Sequence, residues 1–496
     1  MIPLAVLTGA IAIAARVAIG RAAMMTGRVD HYYWMLAADA YRTQRGLPVR
    51  IADKYLMEDE TQAYPPLFGI LLGRWHLDRW GNAAVVGLEL AQAAVLVVLM
   101  AAFHASVPAI LLAVSMYAAA PVLVSYNTQL NSRILGDLFL FSMFAAEACA
   151  VFVAQSRSGE LALWTFAAVM TALVCMTHKM TLQLYAVILL PWSSALKTTM
   201  PLGVFVAGIV LYVALVGPRF AEYQFRAHWD IVSFWNRNWR RLGAHQFRDS
   251  PIYGGPSPSC STCFHRRGLA GVLKHLRVVV SYAPANLFLP LASVVTGSWP
   301  PAWLVAWVGV TYLWVLATLF VPALRCLGGG HLYVFNAIGP AAAWVAWLPD
   351  QRLTVAVLGI GVFLTAVSLA MAWRIVRTRV AVRDAMFDEA ATALAAMPKS
   401  HVAVFPLQNA EAIAAMTPHR VLWGAHGYGF SKLEGFFPVL TEPLSRFIRQ
   451  HDVEWILADD RFWHVADSLM REGLRIDGEQ VFGSWRLTHL VHMHVA

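Results

Sequence analysis

The chain has 496 residues, of which 58% are hydrophobic and only 14% are charged, and its mean hydropathy is +0.56. A soluble fold of this length would lack the polar surface to cover so much apolar content, so the composition excludes a soluble protein and predicts a polytopic membrane protein. The formal net charge of +9 is spread through loops beside apolar segments, where basic residues meet lipid phosphates, and this argues against a nucleic-acid partner.

Apolar runs long enough to cross a bilayer follow one another along most of the chain. The first, Pro3 to Met25, has no basic segment before it and no clear small-residue cleavage pattern after it, so we expect a retained signal anchor. Together the runs predict about eleven transmembrane helices. They lie approximately at 3–25, 82–103, 106–124, 134–155, 160–176, 179–196, 200–217, 280–297, 302–323, 331–348 and 352–373.

The predicted helix count sets the expected topology. An odd number of helices places the two chain ends on opposite sides of the membrane. If the N-terminus is cytoplasmic, the loops 26–81 and 218–279 and the tail after residue 375 lie on the outer side. Arg21 and Arg28 then lie outside as well, against the positive-inside tendency, so the basic residues do not support this orientation.

The tail differs in character from the rest of the chain. Two short apolar runs, 401–407 and 453–460, predict buried strands, whereas 383–397 and 441–451 have helical spacing. This alternation predicts a small soluble α/β domain over residues 376–496, after a transmembrane domain at 1–375.

The polar segment after the first apolar run carries the first candidate site. Asp30 follows the first predicted helix, and the sequence YYWMLAADAYR after it can form a short amphipathic helix along the membrane surface. A carboxylate held at the lipid boundary can act as general base towards an acceptor hydroxyl, or hold a divalent cation against a phosphate. Asp is also a favoured N-cap residue, so capping of that helix is an alternative or additional role.

The same loop carries an acidic triplet that ends shortly before Tyr64, Pro65 and Pro66. An acidic triplet is often a solvated turn, so it has either a supporting role or none in the site. The two prolines stop helix propagation and favour an extended segment, which can set the triplet relative to Asp30. The triplet consists of Glu58, Asp59 and Glu60.

Two polar turns between later apolar runs carry cations. The segment 125–137 contains Arg133 and Asp137, and the turn at 176–180 contains His178 and Lys179. The expected topology places both turns on the outer side, where these cations suit a phosphate leaving group. Alternatively, Arg133 pairs with Asp137 one helical turn later, and Lys179 extends to the lipid headgroups.

The loop 218–279 interleaves aromatic and basic residues, a composition that suits contact with a sugar or a lipid phosphate. It also holds the pair Cys260 and Cys263, with His265 close by and His245 farther back. A zinc site would have to be built from these ligands alone, because there is no second CxxC. In an oxidising outer compartment we favour a disulfide between the two cysteines.

The first half of the chain resembles the GT-C glycosyltransferases. The resemblance rests on the acidic residue after the first helix, the surface helix, the YPPL turn at 64–67 and the later SRILGD at 132–137. Members are polytopic enzymes that take a sugar from a polyprenyl-phosphate carrier, and they include protein mannosyltransferases, lipid A aminoarabinose transferases and the oligosaccharyltransferase catalytic subunit. The resemblance implies that Asp30 is the catalytic or metal-binding carboxylate and that the loop 218–279 covers the donor.

Two features depart from that family's patterns. Many members carry two acidic residues where this chain has Asp30 followed by His31, which puts a two-carboxylate metal site in doubt and leaves His31 to ligate or donate. The WWDYG-type signature of oligosaccharyltransferases is missing from the sequence. A divalent cation, Mg²⁺ or Mn²⁺, is therefore an expected cofactor only if Asp30 and His31 bind it.

The sequence thus predicts an inverting glycosyltransferase of cell-envelope glycan biosynthesis, in a bacterial inner or plasma membrane, with its active site and tail on the periplasmic side. Its expected partners are a polyprenyl-phosphate-linked sugar, a glycan, lipid or protein acceptor, and membrane lipids. A transporter or flippase for a lipid-linked sugar and a non-enzymatic scaffold are the alternatives; a transporter would more often place polar groups in broken helices at mid-membrane. The predicted roles are base for Asp30, donor-phosphate contact for Arg133, His178 and Lys179, and supporting or acceptor-side contact for His31, Glu58, Asp59, Glu60 and Tyr64.

Overall fold

The structure is a computed structural model, and its contacts group the chain into two compact units. The helical unit comprises Met1–Ala23, Arg79–Ala221 and His275–Thr378, and the mixed unit comprises Met24–Asp78, Glu222–Lys274 and Arg379–Ala496. The residues that the structure describes are 13–14, 29–51, 54–57, 61–62, 64–238, 242–243, 246–247, 268–348, 359–360, 363, 366–367, 370, 373–374, 385–424, 434–437, 440–461 and 464–491.

Helices dominate the described chain. Short 3₁₀ helices lie at Leu77–Trp80, Pro322–Leu327, Gly330–Ala337, Val345–Trp347 and Leu407–Asn409. The α-helices are α1 (Val29–Gln44), α2 (Leu67–Trp75), α3 (Asn82–Ala102), α4 (Val107–Ala118), α5 (Pro121–Tyr126), α6 (Arg133–Phe152), α7 (Arg157–Cys175), α8 (Lys179–Leu196), α9 (Met200–Val216), α10 (Pro218–Asn238), α11 (Gly268–Tyr282), α12 (Ala285–Thr296), α13 (Ala302–Phe320), α14 (Ile338–Trp344), α15 (Ala385–Ala395), α16 (Ala410–Met416), α17 (Leu444–Gln450) and α18 (Val465–Arg471).

Four of the described helices, α3, α6, α7 and α13, are long and apolar enough to cross a membrane, and there are up to six spans if each of two bent helix pairs counts as one. The four coincide with the predicted runs that begin at residues 82, 134, 160 and 302. The protein is therefore a polytopic membrane protein, as predicted. The predicted total of about eleven spans includes the runs 3–25 and 352–373, most of whose residues lie outside those described.

Helix α6 lies at the centre of the helical unit. The most apolar window of this helix is 78% buried within the protein, against 33% for the window of α7. Close approach to the start of α8 requires Gly136, since a Cβ atom at this position would lie 2.8 Å from Cβ of His178. The polar residues in the first turn of α6 are consequently enclosed by other parts of the unit.

The run 331–348 does not form the single spanning α-helix that its hydropathy predicts. It consists of the 3₁₀ helix Gly330–Ala337, then α14, then a second 3₁₀ helix. Every residue from 330 to 345 is buried. Gly330 allows this segment to approach α13, because a Cβ there would lie 2.4 Å from the carbonyl oxygen of Val315. Hydropathy does not separate a lipid-facing helix from a segment buried in the protein, which explains the wrong prediction.

The mixed unit is built on a five-stranded sheet. Its strands have the order β6-β5-β7-β9-β8, with β5 parallel to β6 and β7, and β9 antiparallel to β7 and β8. The strands and helices predicted for the tail occur where the sequence places them, as β5, β7, α15 and α17. Within the described residues there are nine strands, namely β1 (Val49–Arg50), β2 (Thr61–Gln62), β3 (Leu242–Gly243), β4 (Gln246–Phe247), β5 (His401–Phe405), β6 (Arg420–Val421), β7 (Trp455–Asp459), β8 (Arg475–Phe482) and β9 (Trp485–Val491).

A segment of the first loop extends this sheet beyond β6. The amide of Leu56 donates to the carbonyl of Val421 at 3.0 Å, and the amide of Val421 donates to the carbonyl of Lys54 at 2.8 Å. Near the end of α10, the ring of Phe234 stacks on that of Phe437 with centroids 6.0 Å apart. Segments of both loops and of the tail therefore pack together within the mixed unit. The domain boundary predicted at residue 375 lies outside the described residues.

Candidate active site

Asp30 occupies the first turn of helix α1 and is partly buried. The helix predicted to follow this residue is present and runs for 16 residues. Asp30 lies within the described helix, so the structure does not place it at the N-cap position of that helix. The positive end of the helix dipole favours an anion at this position, which suits an ionised carboxylate.

His31 is buried and neutral at physiological pH. Its side chain is only 4% exposed, and burial lowers the pKa of its imidazole from 6.5 to about 4. Its Nδ1 atom is buried and has no hydrogen-bond partner among the described residues. Consecutive residues in a helix point about 100° apart, so His31 and Asp30 do not face the same side of α1.

The described residues do not assemble a metal centre at Asp30 and His31. Among the residues whose positions the structure gives, no group of three or more His, Cys, Asp or Glu side chains is arranged to hold a metal ion. The two side chains that the sequence offers as ligands also point away from each other along α1. We therefore assign no step of the reaction to a divalent cation.

Tyr64 is part of an aromatic cluster that packs α1 against the start of α2. Its ring meets that of Trp34 edge-on, with centroids 5.5 Å apart, and Trp34 in turn meets Phe68 with centroids 4.9 Å apart. A packing role accounts for this position of Tyr64, and the predicted contact with an acceptor stays a prediction. The other predicted residues of the two loops lie outside the described part of the chain, namely Glu58, Asp59, Glu60, Cys260 and Cys263.

Arg133 is the first residue of α6, in the helical unit, and its guanidinium group lies over the ring of Tyr126 with Cζ 4.3 Å from the centroid. Two of its nitrogens, Nε and Nη1, are buried without a hydrogen-bond partner among the described residues. Tyr126 is itself held by Tyr282, since their hydroxyl oxygens are 3.3 Å apart. The site therefore contains an enclosed, oriented cation at a helix N-terminus, an arrangement that favours anions.

Asp137 does not pair with Arg133, so the predicted ion pair one turn apart is wrong. Its carboxylate accepts hydrogen bonds from Nε2 of Gln92 at 2.6 Å and from Nδ2 of Asn336 at 2.7 Å. The side-chain oxygen of Gln92 accepts a further bond from the hydroxyl of Tyr117 at 3.1 Å. This buried network ties α3 and α6 to the 3₁₀ segment 330–337, and it leaves the charge of Arg133 uncompensated by Asp137.

His178 and Lys179 begin helix α8. His178 is the N-cap: its Nδ1 accepts from the amide of Thr181 at 3.3 Å and lies 2.9 Å from the Thr181 hydroxyl oxygen. The close approach at Gly136 brings the first turn of α6 beside this cap. Two of the predicted phosphate contacts, Arg133 and His178, thus belong to neighbouring helix ends, although capping already explains the position of His178.

Two acidic residues inside apolar runs serve contacts between segments of the helical unit. Glu89 accepts a hydrogen bond from Asn127 at 2.6 Å, and Glu147 accepts one from Nε1 of Trp192 at 2.5 Å. Both glutamates are almost fully buried. Because these partners account for their burial, neither is assigned to the chemistry.

The sequence alone did not single out several residues that belong to the contacts around Arg133 and Asp137. Tyr126 and Tyr282 lie at the ends of apolar runs, and His331 meets Tyr282 with ring centroids 5.6 Å apart. Asn336, which holds Asp137, lies within a predicted spanning run. Their signal in the sequence is a polar group inside or at the edge of an apolar run, because such groups are costly in a membrane unless they have a structural or functional partner.

Among the solved structures that share this fold is ArnT from Cupriavidus metallidurans bound to undecaprenyl phosphate, with 12% identity, a TM-score of 0.56 and coverage of 97% of each chain. Archaeal oligosaccharyltransferase AglB from Archaeoglobus fulgidus, in complex with an inhibitory peptide and a dolichol-phosphate, has 11% identity, a TM-score of 0.53 and coverage of 92% of this chain and 69% of AglB. Arabinofuranosyltransferase AftD from Mycobacteria has 14% identity, a TM-score of 0.50 and coverage of 98% of this chain and 40% of AftD.

No family model and no curated protein sequence matches the chain. The chain nevertheless shares the fold of ArnT, AglB and AftD, which is the fold that the resemblance found in the sequence implies. At these identities the match establishes the fold, and the residues that carry the chemistry have to be argued from this chain.

Proposed function

We propose that the protein is a membrane glycosyltransferase that moves a sugar from a polyprenyl-phosphate-linked donor to an acceptor, with inversion at the anomeric carbon. The observation that carries the proposal is the enclosed guanidinium of Arg133 at the N-terminus of a 20-residue helix. The fold adds support, because ArnT with the same architecture binds undecaprenyl phosphate and AglB binds a dolichol-phosphate.

The proposed reaction exchanges one bond at the anomeric carbon for another. The acceptor hydroxyl oxygen forms the new bond to the anomeric carbon. The bond between the anomeric carbon and the phosphate oxygen breaks, and the polyprenyl phosphate leaves with the bonding electrons. Arg133 stabilises the negative charge that develops on the departing phosphate, assisted by Lys179 and by the N-terminus of α8 beside His178. Attack from the face opposite the leaving group inverts the anomeric centre.

Asp30 is the proposed general base. Its position in the first turn of α1 favours the ionised form, which can take the proton of the acceptor hydroxyl as the new bond forms. His31, the next residue, is less suited to this role because burial lowers the pKa of its imidazole to about 4, which makes it a weak proton acceptor, and its Nδ1 lies away from solvent. The active side is proposed to be the outer face of the membrane, the side on which the loops and the tail are expected.

The test is an assay of donor cleavage by the purified full-length protein in detergent. Short-chain polyprenyl phosphates carrying different radiolabelled sugars are incubated with the protein and a total membrane lipid and glycan extract as acceptor. We expect loss of one donor, transfer of its label to an acceptor and an inverted anomeric configuration in the product. In vesicles, translocation of an intact donor without cleavage would instead establish a transporter. If neither transfer nor translocation occurred, the non-enzymatic scaffold would be the remaining alternative.

A further inference from the structure

Helices α1 and α2 of the mixed unit pack unusually closely. Gly69 and Gly73, four residues apart on α2, face α1: a Cβ at Gly69 would lie 2.6 Å from Cε2 of Tyr41, and one at Gly73 would lie 2.5 Å from the carbonyl oxygen of Ala38. Only glycine at these two positions allows α2 to approach α1 so closely. The two helices are therefore held together firmly, which fixes the geometry of the surface at their C-terminal ends.

A cleft of about 630 Å³ opens at that end of the pair. Leu47 and Ile70 give it an apolar wall, and Arg45, Arg74 and His76 stand along it. All three basic residues are exposed to solvent. The cleft thus combines apolar surface with several positive or protonatable groups and has no acidic residue in its lining.

The basic residues of the cleft differ in whether their charge is compensated. Arg42 forms an ion pair with Asp78 at 2.8 Å, and this pair links the last turn of α1 to the 3₁₀ helix after α2. Arg45, Arg74 and His76 form no ion pair or side-chain hydrogen bond with any part of the chain that the structure describes. The charge of Arg45 and Arg74 is consequently available to an anion.

Tyr41 contributes an aromatic surface to the cleft. Its side chain lines the cleft, the residue is only 7% exposed, and its hydroxyl is buried without a hydrogen-bond partner among the described residues. Basic residues near helix C-termini also complement the helix dipole, which is the simpler account of Arg45 and Arg74. That account does not explain a cleft that combines two arginines without an ion pair among the described residues with an apolar wall, whereas a bound ligand with an anionic and an apolar part does.

We propose that this cleft binds a phosphate ester, with the phosphate against Arg45 and Arg74 and an apolar portion against Leu47 and Ile70. Trp75, which follows Arg74, is 59% exposed, a position typical of tryptophan at a membrane surface. An anionic lipid headgroup therefore fits the composition of the cleft, and a free phosphate is the second source of the same group. Along α1 the cleft is about 18 Å from Asp30, so this site is separate from the proposed catalytic carboxylate.

The test measures binding to the purified full-length protein in a neutral detergent. Dihexanoyl phosphatidylglycerol, dihexanoyl phosphatidylcholine and inorganic phosphate are titrated separately, each lipid below its critical micelle concentration, and binding is followed by calorimetry. We expect the anionic lipid to bind at least 10-fold more tightly than the zwitterionic one, and the double variant Arg45→Gln/Arg74→Gln to weaken its binding at least 10-fold. The matched control, Arg471→Gln/Arg475→Gln, removes two exposed arginines elsewhere in the unit and should bind as the parent does.

A second variant, Ile70→Trp, fills the apolar side of the cleft and leaves every charge in place. It should also weaken binding of the anionic lipid, and it keeps the test valid if the double arginine variant does not fold. If inorganic phosphate binds as tightly as the lipid with the same dependence on Arg45 and Arg74, the ligand is a free phosphate. Unchanged lipid binding in either folded variant, or equal binding of the two lipids, overturns the proposal.

Discussion

The guanidinium carbon of Arg133 lies 4.3 Å from the centroid of the Tyr126 ring, at the first position of helix α6. Stacking on an aromatic face orients a guanidinium group without neutralising its charge. Asp137, the acidic residue one turn away, is instead held by amide groups of Gln92 and Asn336. Arg133 is therefore held in position while its charge is not neutralised by Asp137, as a contact for a phosphate requires.

The first prediction concerns that cation. Arg133→Gln should lower kcat/KM for the polyprenyl-phosphate donor by about 10²- to 10³-fold, the usual effect of removing one group that stabilises a developing anion. Arg133→Lys should recover part of this loss because it restores the charge but not the planar fork. Arg157→Gln, at the exposed start of α7, is the control. Steady-state kinetics with a labelled donor measure kcat/KM for each variant. A parental kcat/KM in Arg133→Gln would refute the role of Arg133 in stabilising the departing phosphate.

The second prediction concerns the network that surrounds this site. Asp137→Asn replaces one of the two acceptor oxygens by a donor, so that either Gln92 or Asn336 faces another donor inside the protein. The protein should lose about 1–3 kcal/mol of stability, the cost of leaving a buried polar group unsatisfied. Thermal unfolding in detergent measures the loss. Glu160→Gln, an exposed carboxylate that accepts from Trp164, should leave the melting temperature nearly unchanged, and an equal loss in both variants would count against the network.

The third prediction is a pH dependence of stability from His31. Its folded-state pKa is about 4, below the ordinary 6.5, so below pH 6.5 the unfolded chain binds the proton more readily than the folded one. Stability should thus be complete above pH 6.5 and fall as the pH drops towards 4, by at most about 3 kcal/mol. Melting temperatures between pH 7 and pH 4 measure this. His31→Gln should remove that part of the decline, and identical pH profiles for parent and variant would contradict the assignment.

The fourth prediction concerns the contact between the first loop and the sheet. A Cβ at Gly424 would lie 2.4 Å from Cε1 of Tyr55, beside the hydrogen bonds that join the loop to β6. Gly424→Ala should therefore destabilise the mixed unit by about 1–3 kcal/mol and increase proteolytic cleavage in the first loop. The control is Gly478→Ala, where no atom lies within 4 Å of the added Cβ. Equal cleavage of the two variants would show that the loop does not depend on this contact.

Much of the architecture could be predicted because it depends on local patterns. The runs at α3, α6, α7 and α13 and the strands β5 and β7 are continuous apolar stretches, and such stretches need no knowledge of their neighbours to be recognised. The run 331–348 could not be interpreted in the same way. Its path is set by the close packing of Gly330 on the backbone of Val315 and by the hydrogen bond from Asn336 to Asp137. Both are contacts with residues that are distant in the sequence.

The candidate site shows the same division. Residue type and position at a helix end single out Arg133 in the sequence, and α6 does begin at this residue, while its contact with a phosphate stays a prediction. The ion pair with Asp137 follows from helical spacing alone, but the two amides that hold Asp137 come from residues 45 positions before it and 199 positions after it. Helical spacing predicts which side chains lie within reach, whereas competition between partners is decided by the tertiary fold.

The proposed role of Asp30 is that of the base in a sugar transfer from a polyprenyl-phosphate donor. Its most direct test compares transfer by Asp30→Asn with transfer by Asp39→Asn, a control on the same helix whose side chain is 73% exposed. With equal melting temperatures, Asp30→Asn should lower kcat by about 10²- to 10⁴-fold, while Asp39→Asn should stay within about twofold of the parent. Transfer by Asp30→Asn at the parental rate would show that Asp30 is not the base.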